Sequence, residues 1–128
     1  MNYLDTSVVL AHLLGEDRRP PITFWSQSAT SSGLLKYEIS VRLNARTGSP
    51  KTLLMARRLL ADIELVPLDE AALERTLQPF PVSLRTLDAI HLSTFLFLQN
   101  RGLKLELATY DKRMARAAKA LGITLAAV

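Results

Sequence analysis

The chain has 128 residues and no cysteine. A disulfide scaffold, a thiolate metal site and a cysteine nucleophile are therefore excluded. Histidine is scarce, with only His12 and His91, so any bound metal has to be held mostly by carboxylates. Long apolar runs are also missing. The most apolar stretch, Leu87 to Leu98, is broken by Asp88, His91, Ser93 and Thr94 and falls short of the ~20 residues that span a bilayer. The start, MNYLDTSVVLAHLLG, has no basic residue and carries Asp5 early, unlike a signal peptide. These absences lead us to expect a cytoplasmic protein without a membrane segment. There is no Walker A loop and no G-x-G-x-x-G, which argues against nucleotide-binding folds of those types. Repeats and linkers are lacking too. The Arg18-Arg19-Pro20-Pro21 and Gln78-Pro79-Phe80-Pro81 loops are too short to separate domains, so a single domain over 1–128 is expected.

What the chain does have is core and basic charge. Hydrophobic residues make up 48% of it, which argues against disorder. Sixteen Lys and Arg against twelve Asp and Glu give a net charge of +4. Most of the basic residues are Arg, whose planar fork of donors suits phosphate. This excess is weak evidence for a nucleic-acid partner.

Short strands alternate with helices along the chain. Strands are expected at Asn2 to Leu4, Ile63 to Pro67, Leu105 to Thr109 and Ile123 to Ala126. Helices are expected at Thr6 to Leu14, Leu34 to Arg46, from Pro50 to about Asp62, from Asp69 to about Leu77, at Thr86 to Asn100 and at Asp111 to Leu121, with a short helical piece near Ile22 to Gln27. Ser49 and Pro50 stand as N-cap and first helical residue, and Gly15 and Gly122 as stops. The alternation indicates an α/β domain with a mainly parallel sheet.

Four acids need an explanation. Asp5 and Asp111 each sit between a strand and a helix, and each fits either an N-cap or a ligand at the carboxyl end of a strand. Glu38 lies mid-helix, either paired with Arg42 at i+4 or facing inward, where a carboxylate is costly unless it is paired or metal-bound. Asp88 opens a helix with little polar face, beside His91 at i+3, which is near enough to pair with it. His91 itself reads as a hydrogen-bonded core or boundary residue. A parallel sheet would bring these turns to one edge. Carboxylates clustered there repel one another and need a cation, and oxygen-only ligation selects Mg²⁺ or Mn²⁺.

The ordered set YLDTS, YEISVRL, LRTLDAIHLSTF and ATYDKRMARAAKALGI resembles the PIN domain, and more narrowly the VapC-type toxin ribonucleases of toxin–antitoxin pairs. The resemblance runs from Asn2 to Ile123. It implies a three-layer α/β/α domain with a central, mainly parallel sheet, and a metal-dependent endoribonuclease leaving 5′-phosphate and 3′-hydroxyl ends. Asp5, Glu38, Asp88 and Asp111 fall on its acidic metal-site positions, and Thr6, Ser7 and Thr109 on its supporting hydroxyl positions. A homodimer and a cognate antitoxin are implied as well. Two features depart from the family pattern: Gly15 to Ser32, with Trp25, matches no motif, and Ser93-Thr94-Phe95 replaces smaller residues.

Beside such a pocket, the basic residues become candidate phosphate contacts, chiefly Arg85, Arg42, Lys112 and Arg113. A phosphohydrolase acting on small phosphoesters would usually place a second Asp where Ser7 stands, which disfavours it. The other alternative is a catalytically silent PIN-like module that binds RNA or protein and uses the acids only as caps.

Overall fold

The computed structural model describes every residue, Met1–Val128. Four strands, β1 (Asn2–Leu4), β2 (Ala29–Ser32), β3 (Ile63–Val66) and β4 (Glu106–Ala108), form one wholly parallel sheet in the order β3-β2-β1-β4. Six helices accompany them: α1 (Thr6–Leu13), α2 (Leu34–Arg46), α3 (Pro50–Ala61), α4 (Glu70–Leu73), α5 (Thr86–Asn100) and α6 (Lys112–Ala120).

Alternate side chains of a strand point to opposite faces, and this splits the core in two. Leu4 of β1 and Ala108 of β4 pack with Val8, Val9, Leu35, Ile39 and Leu43, on α1 and α2. Tyr3 and Leu107, one position away in the same strands, pack with Leu92, Phe95, Met114 and Ala117, on α5 and α6. The result is the expected three layers. A parallel sheet covered on both faces needs apolar strands, and β1 is buried throughout.

Three expectations are corrected. The sequence reading contains no strand at Ala29–Ser32, because Ala-Thr-Ser-Ser lacks the apolar or β-branched run that marks a buried strand. Thr30, Ser31 and Ser32 are nonetheless buried. Their hydroxyls are satisfied internally: Ser31 Oγ donates to the Leu4 carbonyl (2.7 Å), Thr30 Oγ1 donates to the Glu64 carbonyl (2.8 Å), and Ser32 Oγ accepts from the Leu34 amide (3.1 Å). Helix α5 packs against this strand, and short side chains let it approach. Second, the strand expected at Ile123 to Ala126 is only an isolated parallel bridge, Leu107 to Leu125. Third, the helix expected from Asp69 to Leu77 is α4, capped by Asp69 through the Ala72 amide (3.0 Å), followed by a 3₁₀ turn over Glu74–Leu77. Ser49 does occupy the N-cap of α3, but its side chain makes no capping bond, and Pro50 at the first position supplies the start.

The two departures from the family pattern are structural. Trp25 sits in a 3₁₀ turn (Ile22–Ser26), packed edge-on to Phe24 at 5.2 Å and against His12 at 4.5 Å. Ser93 and Thr94 are buried, donating to the carbonyls of Ala72 (2.6 Å) and Ile90 (2.9 Å), and Phe95 packs edge-on to Tyr3.

The account of β2 makes a prediction that runs against strand propensity. Ser31→Ala should cost about 1 kcal/mol, the net value of one hydrogen bond. Ser31→Val, a better strand former, should cost about 2–4 kcal/mol by adding volume where none is free and removing the hydroxyl. Urea denaturation of both variants measures this, and a Val variant as stable as the parent would contradict it.

Candidate active site

The strand order places the topological switch between β1 and β4, since β2 and β3 lie on one side of β1 and β4 on the other. In open α/β sheets the crevice beyond the carboxyl ends of the strands at such a point is where ligands bind. Asp5 follows β1, and Thr109 and Asp111 follow β4, so neighbouring strands deliver them to one place. A cleft of about 360 Å³ opens there, lined by Asp5, Glu38, Asp88 and Asp111 together with Thr6, Ser7, Arg42 and Arg85. All four sequence-predicted acids are brought together.

The cap and cleft readings of these acids turn out to be compatible. Asp5, almost fully buried, is the N-cap of α1. Its Oδ2 accepts from Ser7 Oγ (2.6 Å), Thr109 Oγ1 (2.8 Å) and, at 3.4 Å, the Ser7 amide. Those bonds all fall on one oxygen, which leaves Oδ1 for the cleft. Ser7 Oγ accepts in turn from the Tyr110 amide (2.9 Å), tying the turn after β4 to the start of α1. Asp111 caps α6 through Oδ1, which accepts from the Met114 amide (2.8 Å), while its own amide donates to Thr109 Oγ1 (3.0 Å). Its Oδ2 is likewise uncommitted.

Glu38 reaches the cleft from α2 and faces inward. Its partner is not Arg42, its i+4 neighbour. Oε1 receives the Thr6 hydroxyl (2.7 Å) and lies 2.7 Å from His91 Nε2. His91 therefore pairs with Glu38 and not with Asp88, because α5 turns the imidazole into the core, where the ring is 1% exposed. Burial alone would raise the Glu38 pKa; the His91 hydrogen bond and charge, the Thr6 hydroxyl and Arg42 together hold it below the usual carboxylate range. Asp88, in the first turn of α5, goes the other way. Burial raises its pKa, and the carboxylates of Asp111 and Asp5 raise it further, against weaker opposition from Arg85 and His91. Arg85 Nε lies 4.0 Å from Asp88 Oδ2 on a largely exposed side chain, and such a contact contributes little.

A family model described as "PIN domain" matches residues 3–120. The chain belongs to the PIN-domain family. Among characterised proteins it is 34% identical over 129 residues to Ribonuclease VapC46 of Mycobacterium tuberculosis (strain ATCC 25618 / H37Rv), covering 98% of this chain and 95% of that protein. It is 29% identical to Ribonuclease VapC47 (98% and 96% covered) and 31% identical to Ribonuclease VapC35 (99% and 96% covered), both over 133 residues and both of Mycobacterium tuberculosis (strain CDC 1551 / Oshkosh).

In this PIN domain the four candidate basic residues separate. Arg42 and Arg85 line the cleft, whereas Lys112 and Arg113, exposed on the first turn of α6, are not part of its wall. Leu10, Thr86 and Leu87 also line it and were not singled out from the sequence. Leu10 and Leu87 read as ordinary core positions, and only the position of Thr86, two residues before Asp88, hinted at a place in the site. No three acidic or histidine side chains converge into a ready-made metal cage. No helix is long and apolar enough to cross a membrane.

The crowding of Asp88 has a measurable sign. Its pKa is higher in the folded chain than in the unfolded one, so the fold binds more protons between the two values. Stability falls as pH rises through that window and stays lowered above it. In metal-free protein at neutral pH, Asp88→Asn should raise Tm by about 2 °C, a small value because the carboxyl is partly solvated. The gap should close as pH falls toward 4, the ordinary carboxylate range. A lower Tm for the variant at neutral pH would show that the helix dipole and Arg85 outweigh the repulsion.

Proposed function

We propose that this PIN domain is a metal-dependent endoribonuclease that hydrolyses RNA phosphodiester bonds, working in the cytoplasm as the toxin of a toxin–antitoxin pair. The observation that carries the reading is the convergence of Asp5, Glu38, Asp88 and Asp111 on one cleft with Arg42 and Arg85 beside them. The ribonuclease names of its full-length relatives support the same chemistry.

The donor set fits Mg²⁺ or Mn²⁺. It consists of oxygen atoms, and Asp88 feels the repulsion that a divalent cation would relieve. A hydrated Mg²⁺ takes only one or two carboxylates and keeps several waters, so it does not require three acids on one point. Asp5 and Asp88 are the principal holders in this reading, with Glu38 and Asp111 completing the set. When bound, the cation supplies Lewis-acid polarisation of the scissile phosphate and neutralises its charge. The chain does the rest. Ser7 and Thr109 fix Asp5 by one oxygen and leave the other without a protein partner. Arg42 and Arg85 offer charge-assisted donors to phosphate oxygens. His91 does not act as a general base, because it is buried with partners at both ring nitrogens. Lys112 and Arg113, exposed beside Asp111, extend the basic surface for RNA. Tyr37 and Val41 on α2, and Leu54 and Met55 on α3, are exposed apolar side chains that suit a partner protein, either the antitoxin or a second copy in a homodimer.

Cleavage of single-stranded RNA tests the reading. Activity should require Mg²⁺ or Mn²⁺, stop on chelation, and fall at least about a hundredfold in Asp5→Asn, since a cation's charge stabilisation amounts to several kcal/mol. Arg85→Ala should mainly raise KM, by about threefold to tenfold. Cleavage that survives both chelation and Asp5→Asn would place the activity elsewhere. Absence of both cleavage and Mn²⁺ binding would mean a silent module in which the acids are caps.

A further inference from the structure

The Glu38 carboxylate stands at the end of a buried polar chain that the cleft itself does not require. The chain starts at the Ser32 amide, a group that can only donate, which gives its proton to Tyr3 Oη at 3.1 Å. The same Oη lies 3.1 Å from His91 Nδ1. The phenol oxygen keeps a second lone pair as well as its proton, so it can serve Nδ1 as donor or as acceptor. Tyr3 is completely buried, and burial raises its pKa far above the ordinary tyrosine value, so the phenol keeps its proton. On the other side of the ring, Nε2 lies 2.7 Å from Glu38 Oε1, and because a carboxylate oxygen accepts, Nε2 carries a proton and donates it. The Thr6 hydroxyl takes that same oxygen, and Oε2 remains for the cleft.

Packing holds the rings in this arrangement. Tyr3 meets His91 edge-on (6.0 Å between centroids, 83°) and Phe95 edge-on (5.6 Å, 71°). Phe and Leu would fill the same space without polar atoms. Instead, the chain runs from β2 through β1 and α5 and ends on a cleft carboxylate.

We infer that Ser32, Tyr3 and His91 form a buried hydrogen-bond relay that positions Glu38 to hold a divalent cation, with Tyr3 and His91 as positioning residues. Its purpose rests on the metal-site reading above. The imidazole donor fixes the orientation of the carboxylate, and a partner of this kind typically governs metal affinity.

The test uses the full chain without RNA. Calorimetric Mn²⁺ affinity is measured for the parent, His91→Leu and His91→Gln, whose amide nitrogen can stand where Nε2 does; Tm confirms that each is folded. His91→Leu should bind Mn²⁺ about 10- to 100-fold more weakly. His91→Gln should stay within about threefold of the parent, since the donor to Glu38 is kept. Ring-nitrogen NMR of the metal-free parent should show a proton on His91 Nε2, and Tyr3→Phe should shift the Nδ1 signal. Parent-like affinity in His91→Leu, equal losses in both variants, or an unprotonated Nε2 would each overturn the relay. Should His91→Leu not fold, the Gln variant and the NMR arm still decide. If the parent binds no Mn²⁺, the metal-site reading fails and the relay's purpose with it, whereas intact parent binding with an unaffected His91→Leu defeats the relay alone.

Discussion

Carboxylates crowd the carboxyl edge of the sheet, and their mutual repulsion is the constraint that the rest of the site accommodates. Parallel pairing of β1 with β4 forces it, because the residues that follow these strands, Asp5 and Asp111, have nowhere else to go. Asp88 arrives from α5 and registers the crowding directly, its pKa raised by burial and by the other two acids. Glu38 escapes the same fate because the donors around it outweigh its burial. Charges of one sign gathered in a half-closed cleft are unfavourable in the absence of a counter-charge. That cost makes sense when a divalent cation is the missing counter-charge.

The fold limits this cost by committing one oxygen of three of the four carboxylates to the scaffold. Asp5 spends Oδ2 on Ser7 and Thr109, Asp111 spends Oδ1 on the Met114 amide, and Glu38 spends Oε1 on Thr6 and His91. At Asp5 and Asp111 the committed oxygen starts a helix, and in all three residues the second oxygen is without a protein partner. The helix-cap preference of Asp and the demand for an oxygen ligand thus coincide at Asp5 and Asp111, so structural and chemical roles did not have to be traded against each other there.

Much of this was legible in the sequence, for physical reasons that differ by residue. Asp5 and Asp111 were visible because strand-to-helix turns have strong signals and a parallel sheet sends its turns to one edge. Glu38 stood out as a mid-helix acid, no cap, on a helix apolar around much of its circumference, although pairing with Arg42 explained it equally well. Two kinds of information were not available. Strand β2 is built from residues chosen for small volume and satisfied hydroxyls, which no periodicity reveals. The partner of His91 was set by tertiary geometry: spacing along α5 suggested Asp88, but the ring points into the core, where α2 and β1 supply Glu38 and Tyr3. Local spacing could not show which side of α5 faces the core. The split of the basic residues had the same cause, since only the fold shows that Arg42 and Arg85 reach the cleft while Lys112 and Arg113 stay outside its wall.

The central claim is that the cleft is a divalent-cation site. The most direct measurement is an anomalous difference map from crystals of the full chain soaked in Mn²⁺. The account expects one or two peaks inside the cleft, within bonding distance of the uncommitted oxygens of Asp5 and Asp88, with Glu38 or Asp111 nearby. A well-ordered cleft with no peak at saturating Mn²⁺, or peaks only elsewhere on the surface, would contradict it.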